Sequence, residues 1–253
     1  MPIPVIVMDE YREVLTRLGL TTIEGAKDYR GELVKDHHGR RDILRIQQPN
    51  DPVLYLKRNW RPYKKDGLCS LLRHGCAWSQ SRQEWENMLA LQRAGLHTAG
   101  LVAYGQDCGP LCERFSFLIT EAAPGQTVDQ FLRDCRDAEK RRQVFDALAR
   151  EIRKLHDAGM ATPDLFTRHI FVDGESRFTF IDMARLDHGS PARDLAALNL
   201  TAPLRFVSEE ERKRFLKVYG APELCEPITT RMRHLADRRK FQDFFGNDDP
   251  NVK

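Results

Sequence analysis

An α+β chain in two parts is the fold class this sequence predicts, and three observations carry it. Residues 29 to 121 hold short runs rich in β-branched and aromatic residues, with turn residues between them. From residue 123 onward the apolar positions recur at helical spacing, in segments punctuated by glycine and proline. The change of character falls at "APGQ", residues 123–126. A strand-rich first part, residues 1–122, joined to a helix-rich second part, residues 123–253, is the expected organisation.

The elements follow in order. "DEYREVLTRLGL" (9–20) has helical spacing and ends around a glycine. "YRGELVKD" and "RDILRIQQ" flank "HHGR", which reads as a hairpin turn, and "DPVLYLKRN" (51–59) is a third strand. "SQSRQEWENMLALQRA" (79–94) is the main helix of the first part: Ser79 or Ser81 is the cap, Trp85, Met88, Leu89 and Leu91 form the apolar side, and Gly95 ends it. "LVAYG" and "RFSFLITE" complete five strands. Beyond "APGQ", "TVDQFLRDC" and the long amphipathic "EKRRQVFDALAREIRKLHDAG" read as helices. Two short strands, "HIFVD" and "RFTFID", surround the turn "GES", and the remainder is helical up to a polar tail, "GNDDPNVK".

Bulk properties bound the function. The chain is 41% hydrophobic and 30% charged, with a net charge of +3, so it is no nucleic-acid-coating polycation. No apolar run approaches the ~20 residues that span a bilayer, and "MPIPVIVMDEYREV" lacks the features of a signal peptide. A cytoplasmic location is expected. The cysteines Cys69, Cys76, Cys108, Cys112, Cys135 and Cys225 are scattered, which predicts free thiols rather than a zinc site. Basic residues cluster in "KRNWRPYKK" (57–65), interleaved with Trp60 and Tyr63, and in "RMRHLADRRK" (231–240).

Candidate chemistry begins at Lys57, at the end of the alternating run "VLYLK". Alone it marks a strand's exit into water, and Glu84 alone is an ordinary helical glutamate. Together, a strand lysine and a helix glutamate can form a partly buried ion pair that holds the ammonium where it meets phosphate oxygens. Downstream, Asp164 stands in a loop after the long helix, His169 opens the strand "HIFVD", and Asp182 follows the strand "FTFI". A hairpin between those strands returns Asp182 close to His169. A proton acceptor, a neutral ligand and an anionic ligand are thereby gathered at one place, which suits a magnesium nucleotide.

The order and intervals resemble those of protein kinases: Lys57, Glu84, "LHDAGMATPD" ending at Asp164, His169 at the spacing of the catalytic-loop asparagine, and "FID" ending at Asp182. More narrowly, "QEWENMLALQRAGLHTAGLVAYG", "FLITE", "DLFTRHIFV", "FIDMARL" and "RDLAALNL" are similar to the lipopolysaccharide kinase (Kdo/WaaP) family over roughly residues 30 to 220. The resemblance implies a bilobal protein-kinase-like fold: a five-stranded antiparallel sheet with one main helix in residues 1–122, and a mostly helical second lobe in 123–253. It implies ATP and Mg2+ as cofactors and phosphorylation of a heptose or Kdo hydroxyl of the lipopolysaccharide inner core, at the cytoplasmic face of the inner membrane. Lys57 would bind the α- and β-phosphates, Glu84 would hold the lysine, and Glu121 to Ala123 would form the hinge at the adenine. Asp164 would orient and deprotonate the sugar hydroxyl, and His169 and Asp182 would coordinate magnesium. Asp194 resembles the kinase-fold scaffold residue that hydrogen-bonds the catalytic loop.

Departures from the kinase pattern shape these expectations. Thr162-Pro163 stands where His-Arg precedes the catalytic aspartate, which argues against control by activation-loop phosphorylation, and Met183-Ala184 replaces Phe-Gly. No G-x-G-x-x-G precedes Lys57; "HHGRR" supplies one glycine. The basic stretch Arg58, Arg61, Lys64 and Lys65, with Arg73 and His74 beyond it, suits a phosphorylated, acidic glycolipid or the membrane surface. Two other functions fit the same residues: a small-molecule kinase of aminoglycoside or choline type, and a nucleotide-binding pseudokinase.

Overall fold

A computed structural model describes residues 5–49, 51–60, 78–109, 113–202 and 208–238. The chain forms two compact units, Met1–Ala90 with Ala99–Ala123 and Leu91–Thr98 with Pro124–Lys253. Among the described residues no helix is long and apolar enough to cross a membrane.

The first unit is built on one antiparallel sheet. Its strands are β1 (Ile6–Val7), β2 (Glu32–Asp36), β3 (Arg41–Ile46), β4 (Leu54–Asn59), β6 (Leu101–Cys108) and β7 (Glu113–Glu121), in the order β1-β6-β7-β4-β3-β2. Among the described residues the sheet has six strands where five are expected: Ile6 and Val7 pair with Tyr104 and Ala103 on the outer edge of β6. A two-residue strand carries no alternation, so no periodicity announces it. Strand β4 shows how one sequence serves two faces. Leu54 and Leu56 enter a core shared with Leu44, Ile46, Val102, Phe117 and Ile119, while Tyr55, Lys57 and Asn59 point the other way.

Two short helices cover the core face: the first falls within the expected run 9–20, and the second adds to the elements that the sequence predicts. The run 9–20 divides into a 3-10 turn, Asp9–Tyr11, and α1 (Arg12–Arg17), which closes before Gly19 at φ 72°. α2 (Ile23–Asp28) starts at Thr22, whose hydroxyl accepts from the Gly25 amide. Its interior Gly25 hides the helix from propensity, yet the residue is needed: a Cβ there would stand 1.8 Å from the Gly19 carbonyl oxygen. Helix α3 (Gln80–Arg93) is the expected one. Ser79 settles its cap, because its Oγ accepts from the Arg82 amide.

The second unit is mainly helical but carries its own small sheet, in the order β5-β10-β9-β8. β9 (Ile170–Val172) and β10 (Phe178–Phe180) form the expected antiparallel hairpin, with Phe180 opposite Ile170. The two-residue strands β5 (His97–Thr98) and β8 (Gln126–Thr127) extend it, β5 in parallel with β10. Helix α4 (Val128–Asp134) precedes α5 (Ala138–Asp157), which Asp137 caps through the amides of Glu139 and Lys140. Val144, Phe145, Leu148, Ala149, Ile152 and Leu155 form the buried side of α5. Helix α6 (Pro191–Thr201) is buried from Asp194 to Leu200. α7 (Glu209–Tyr219) opens on a Ser208–Glu211 capping box and closes on left-handed Gly220, and α8 (Cys225–Arg238) follows.

Candidate active site

Lys57 and Glu84 are brought together in the first unit. Nζ lies 2.7 Å from Oε2, with the side chains 12% and 6% exposed. Removing two charges from water is costly, and a hydrophobic pair of similar volume is often as stable or more so. The pair is therefore better explained by what a fixed ammonium does than by stability.

Glu121 and Ala123 end the same unit. The Glu121 carboxylate has structural work of its own: it accepts the Tyr11 hydroxyl at 2.6 Å and fills the space left by Gly100, where a Cβ would meet Oε2 at 2.3 Å. Burial, then the Glu121 hydrogen bond and charge, hold the Tyr11 hydroxyl above its ordinary pKa. The Glu121 amide donates to the Gly100 carbonyl and the Ala122 amide to that of Val53. Any contact of this segment with a base would thus use main-chain groups rather than the carboxylate. The β2–β3 turn adds little for phosphate, since the Gly39 amide donates to Asp36 Oδ1 at 3.0 Å. A carboxylate already occupies the donor that an anion would need.

Arg58 corrects one expectation. It is buried, forks onto Asp42 at 2.7 and 2.9 Å, and donates to the carbonyls of Ala26, Lys27 and Tyr29. It closes the C-terminal end of α2 and is not a cation offered to an acceptor. The alternation that turns Lys57 to one face of β4 turns Arg58 to the other. Trp60, whose indole donates to Asp42 at 2.9 Å, belongs to the same structural cluster. Arg61, Tyr63, Lys64, Lys65, Arg73 and His74 lie outside the described residues, as do Arg239 and Lys240 of the 231–240 cluster.

The second unit gathers Asp164, His169 and Asp182. Asp164 sits in a loop held by main-chain bonds: its carbonyl accepts from the Phe166 amide at 2.8 Å and stands 3.0 Å from His169 Nδ1. A carbonyl only accepts, so Nδ1 carries the proton and Nε2 keeps its lone pair. Nε2 is 3.8 Å from Asp182 Oδ2. Burial lowers the His169 pKa below the ordinary histidine value, outweighing the opposing charge of Asp182, and keeps the ring a neutral donor. The hairpin delivers Asp182 to this point, with the Ile181 amide donating to the His169 carbonyl at 2.9 Å. Asp182 itself adopts φ 56°, a left-handed backbone that aspartate tolerates better than most residues and that recurs at functional sites.

Asp194 anchors the loop from below. It is fully buried and accepts the Thr162 amide at 2.5 Å, the Arg193 guanidinium at 2.9 Å and a weaker contact from His156 at 3.3 Å. Arg193 also forks onto Asp187 at 2.7 and 2.8 Å, and Asp187 exchanges main-chain bonds with Ala161. The loop that carries Asp164 is thus stitched to the segment after Asp182 by one charged network, buried at Asp194 and partly exposed at Arg193 and Asp187.

Sequence reasoning missed Arg185. Its guanidinium forks onto both carboxylate oxygens of Asp164, Nε to Oδ2 at 2.5 Å and the second nitrogen to Oδ1. The only signal was a basic residue three positions past Asp182, which reads as an ordinary surface arginine. A carboxylate offers about four lone-pair sites, so two remain for a hydroxyl after the fork forms.

Among the described residues no group of three or more histidine, cysteine, aspartate and glutamate side chains is placed to hold a metal alone. His169 and Asp182 together fit a divalent cation that keeps its other positions for phosphate oxygens and water, as magnesium does. Cys108, Cys135 and Cys225 are free thiols, and Cys69, Cys76 and Cys112 lie outside the described residues.

Each unit thus carries part of the residue set that a protein-kinase-like phosphotransferase uses: a largely buried strand-lysine and helix-glutamate pair in the first, and a loop aspartate with a second aspartate after a short hairpin in the second. The lipopolysaccharide kinase (Kdo/WaaP) family model matches residues 25–219, and the chain belongs to that family. It is similar to the lipopolysaccharide core heptose(I) kinase WaaP of Pseudomonas aeruginosa, 29% identical over 228 residues that cover 82% of this chain and 84% of that protein. It also shares its fold with the structure of WaaP in complex with acyl carrier protein, with a TM-score of 0.66 and 23% identity over 96% of this chain and 99% of that one.

Proposed function

We propose that this kinase transfers the γ-phosphoryl group of ATP to a heptose or Kdo hydroxyl of the lipopolysaccharide inner core. The observation that carries the reading is the buried Lys57–Glu84 pair at 2.7 Å, an arrangement with little to recommend it except as a fixed cation for a polyphosphate. The relative whose name specifies a core heptose supplies the acceptor class.

In this reading Lys57 neutralises α- and β-phosphate oxygens, and Glu84 keeps the ammonium from swinging away. Main-chain groups of the Glu121–Ala123 segment receive the adenine. Asp164 orients the sugar hydroxyl and accepts its proton as the sugar oxygen bonds to the γ-phosphorus and the bond to the ADP oxygen breaks. Arg185 fixes the plane of the Asp164 carboxylate. His169 and Asp182 would hold a magnesium ion, which supplies charge neutralisation to the phosphates when bound. Positioning and charge do most of the work in such a transfer.

The acceptor is presented at the inner membrane, so we place the protein at its cytoplasmic face by peripheral contact. The structural relative was solved with acyl carrier protein, and a carrier protein is a candidate partner for this chain as well. Co-purification of the native protein with a bound carrier, detected by intact mass, tests that point.

A panel assay tests the acceptor. Label from γ-labelled ATP is expected in a heptose- and Kdo-containing core glycolipid, and in neither choline nor an aminoglycoside. Transfer to one of the small molecules instead would support the small-molecule kinase. ATP binding without transfer to any acceptor would support the pseudokinase.

A further inference from the structure

Helix α3 meets the sheet through hydroxyls where an apolar contact would be ordinary. Ser81 stands three residues before Glu84, on the same side of the helix, and Asn59 stands two residues after Lys57, on the same face of β4. The ion pair and these two residues therefore lie along one seam. Asn59 Nδ2 donates to Ser81 Oγ at 3.0 Å and to Ser116 Oγ at 3.2 Å, and the two serine hydroxyls are 2.7 Å apart. Ser116 is the residue paired with Asn59 across β4 and β7. Glu113 completes the cluster, accepting the Ser116 hydroxyl and, at 2.9 Å, the Gln80 amide at the first turn of α3. From the other side Arg41 donates to Asn59 Oδ1 at 2.9 Å and to Gln80 Oε1 at 2.6 Å. Ser81 and Ser116 are wholly buried and Asn59 nearly so.

An apolar helix face can slide or rotate by a fraction of a turn and find other contacts. A buried polar seam cannot, because any such movement strips partners from donors and acceptors that water does not reach. We propose that the Asn59–Ser81–Ser116–Glu113 seam is a positioning device. It holds α3 in the register that pairs Glu84 with Lys57 before nucleotide arrives, so the phosphate-binding cation is assembled permanently rather than by a switch. The functional meaning of the pair rests on the kinase reading above, but the pinning itself does not.

The test combines two readouts on the full chain. Hydrogen exchange without nucleotide should show the amides of residues 81–86 protected in the wild type, and exchanging about tenfold faster or more in Ser81→Ala. Affinity for magnesium-ADP should fall about tenfold in Ser81→Ala and similarly in Glu84→Gln, while the double variant binds within about twofold of Glu84→Gln alone, since both act through one pair. Ser116→Ala repeats the experiment from the sheet side should Ser81→Ala not fold. Unchanged exchange in the serine variants would overturn the proposal, as would additive losses of affinity. A wild type that binds no nucleotide yet shows the exchange difference would instead overturn the kinase reading and leave the pinning in place.

Discussion

Lys57 and Glu84 stand on a strand and a helix, whereas Asp164 and Asp182 stand on loops, and the two sets are secured by different means. The first unit fixes its pair by register: alternation along β4 and helical spacing along α3 set the direction of each side chain, and a buried polar seam sets the helix. The second unit fixes its carboxylates by stitching. Main-chain bonds, the buried Asp194 and the arginines Arg185 and Arg193 hold segments that have no regular structure of their own. A binding cation can stand rigidly on regular elements. A base that must meet an incoming hydroxyl is better placed on a loop whose position is held by replaceable partners.

The strongest way to break the contrast is at Asp194. Asp194→Ala removes the buried acceptor of the Thr162 amide and leaves Arg193 with one partner fewer. Stability is expected to fall by about 3 kcal/mol or more, as for the loss of one partner from a buried charged set, read as a drop in the denaturant midpoint. Arg185→Gln comes next. Its side chain is 58% exposed, so little stability is at stake, but Asp164 loses its orienting fork. A fall in kcat of about tenfold to a hundredfold with ATP affinity unchanged is expected, measured by steady-state kinetics at saturating acceptor.

A smaller effect sharpens the metal assignment. His169→Asn exchanges a nitrogen donor for an oxygen donor, and oxygen suits magnesium better. The concentration of magnesium that gives half-maximal activity should fall, while that of manganese, which also takes nitrogen, changes less. The smallest effect is on pH dependence. His169 is buried as a neutral ring and titrates below the ordinary histidine value. As pH falls through about 6.5, the unfolded chain takes the proton first. It then binds more protons than the native state, so stability declines on acidification and recovers as pH rises. A thermal series between about pH 5 and pH 7 should have a shallower slope in His169→Asn.

These differences also decide what the sequence could disclose. Lys57, Glu84 and the β9–β10 hairpin were legible because period-two and period-3.6 patterns dictate side-chain direction without any tertiary information. β1, β5 and β8 were not, since two residues carry no period. α2 was hidden by Gly25, which a tertiary contact with Gly19 requires. Arg58 was misread because composition placed it with the neighbouring cations, although its strand parity turns it inward. Arg185 was invisible for another reason: its partner Asp164 lies 21 residues away, and nothing local distinguishes it from a solvated arginine. The Ser81 seam escaped in the same way, as a serine near a helix start is first read as a cap.

The measurement that bears most directly on the whole account sets Glu84→Gln beside Asp164→Asn. Magnesium-ATP affinity and phosphoryl transfer to the core glycolipid are measured for both. Glu84→Gln should weaken nucleotide binding about tenfold, whereas Asp164→Asn should bind ATP as the wild type does and lose transfer by about a hundredfold to ten-thousandfold. Transfer near the wild-type rate in Asp164→Asn, or a loss of ATP affinity equal in the two variants, would contradict the division of labour between the strand–helix pair and the loop aspartate.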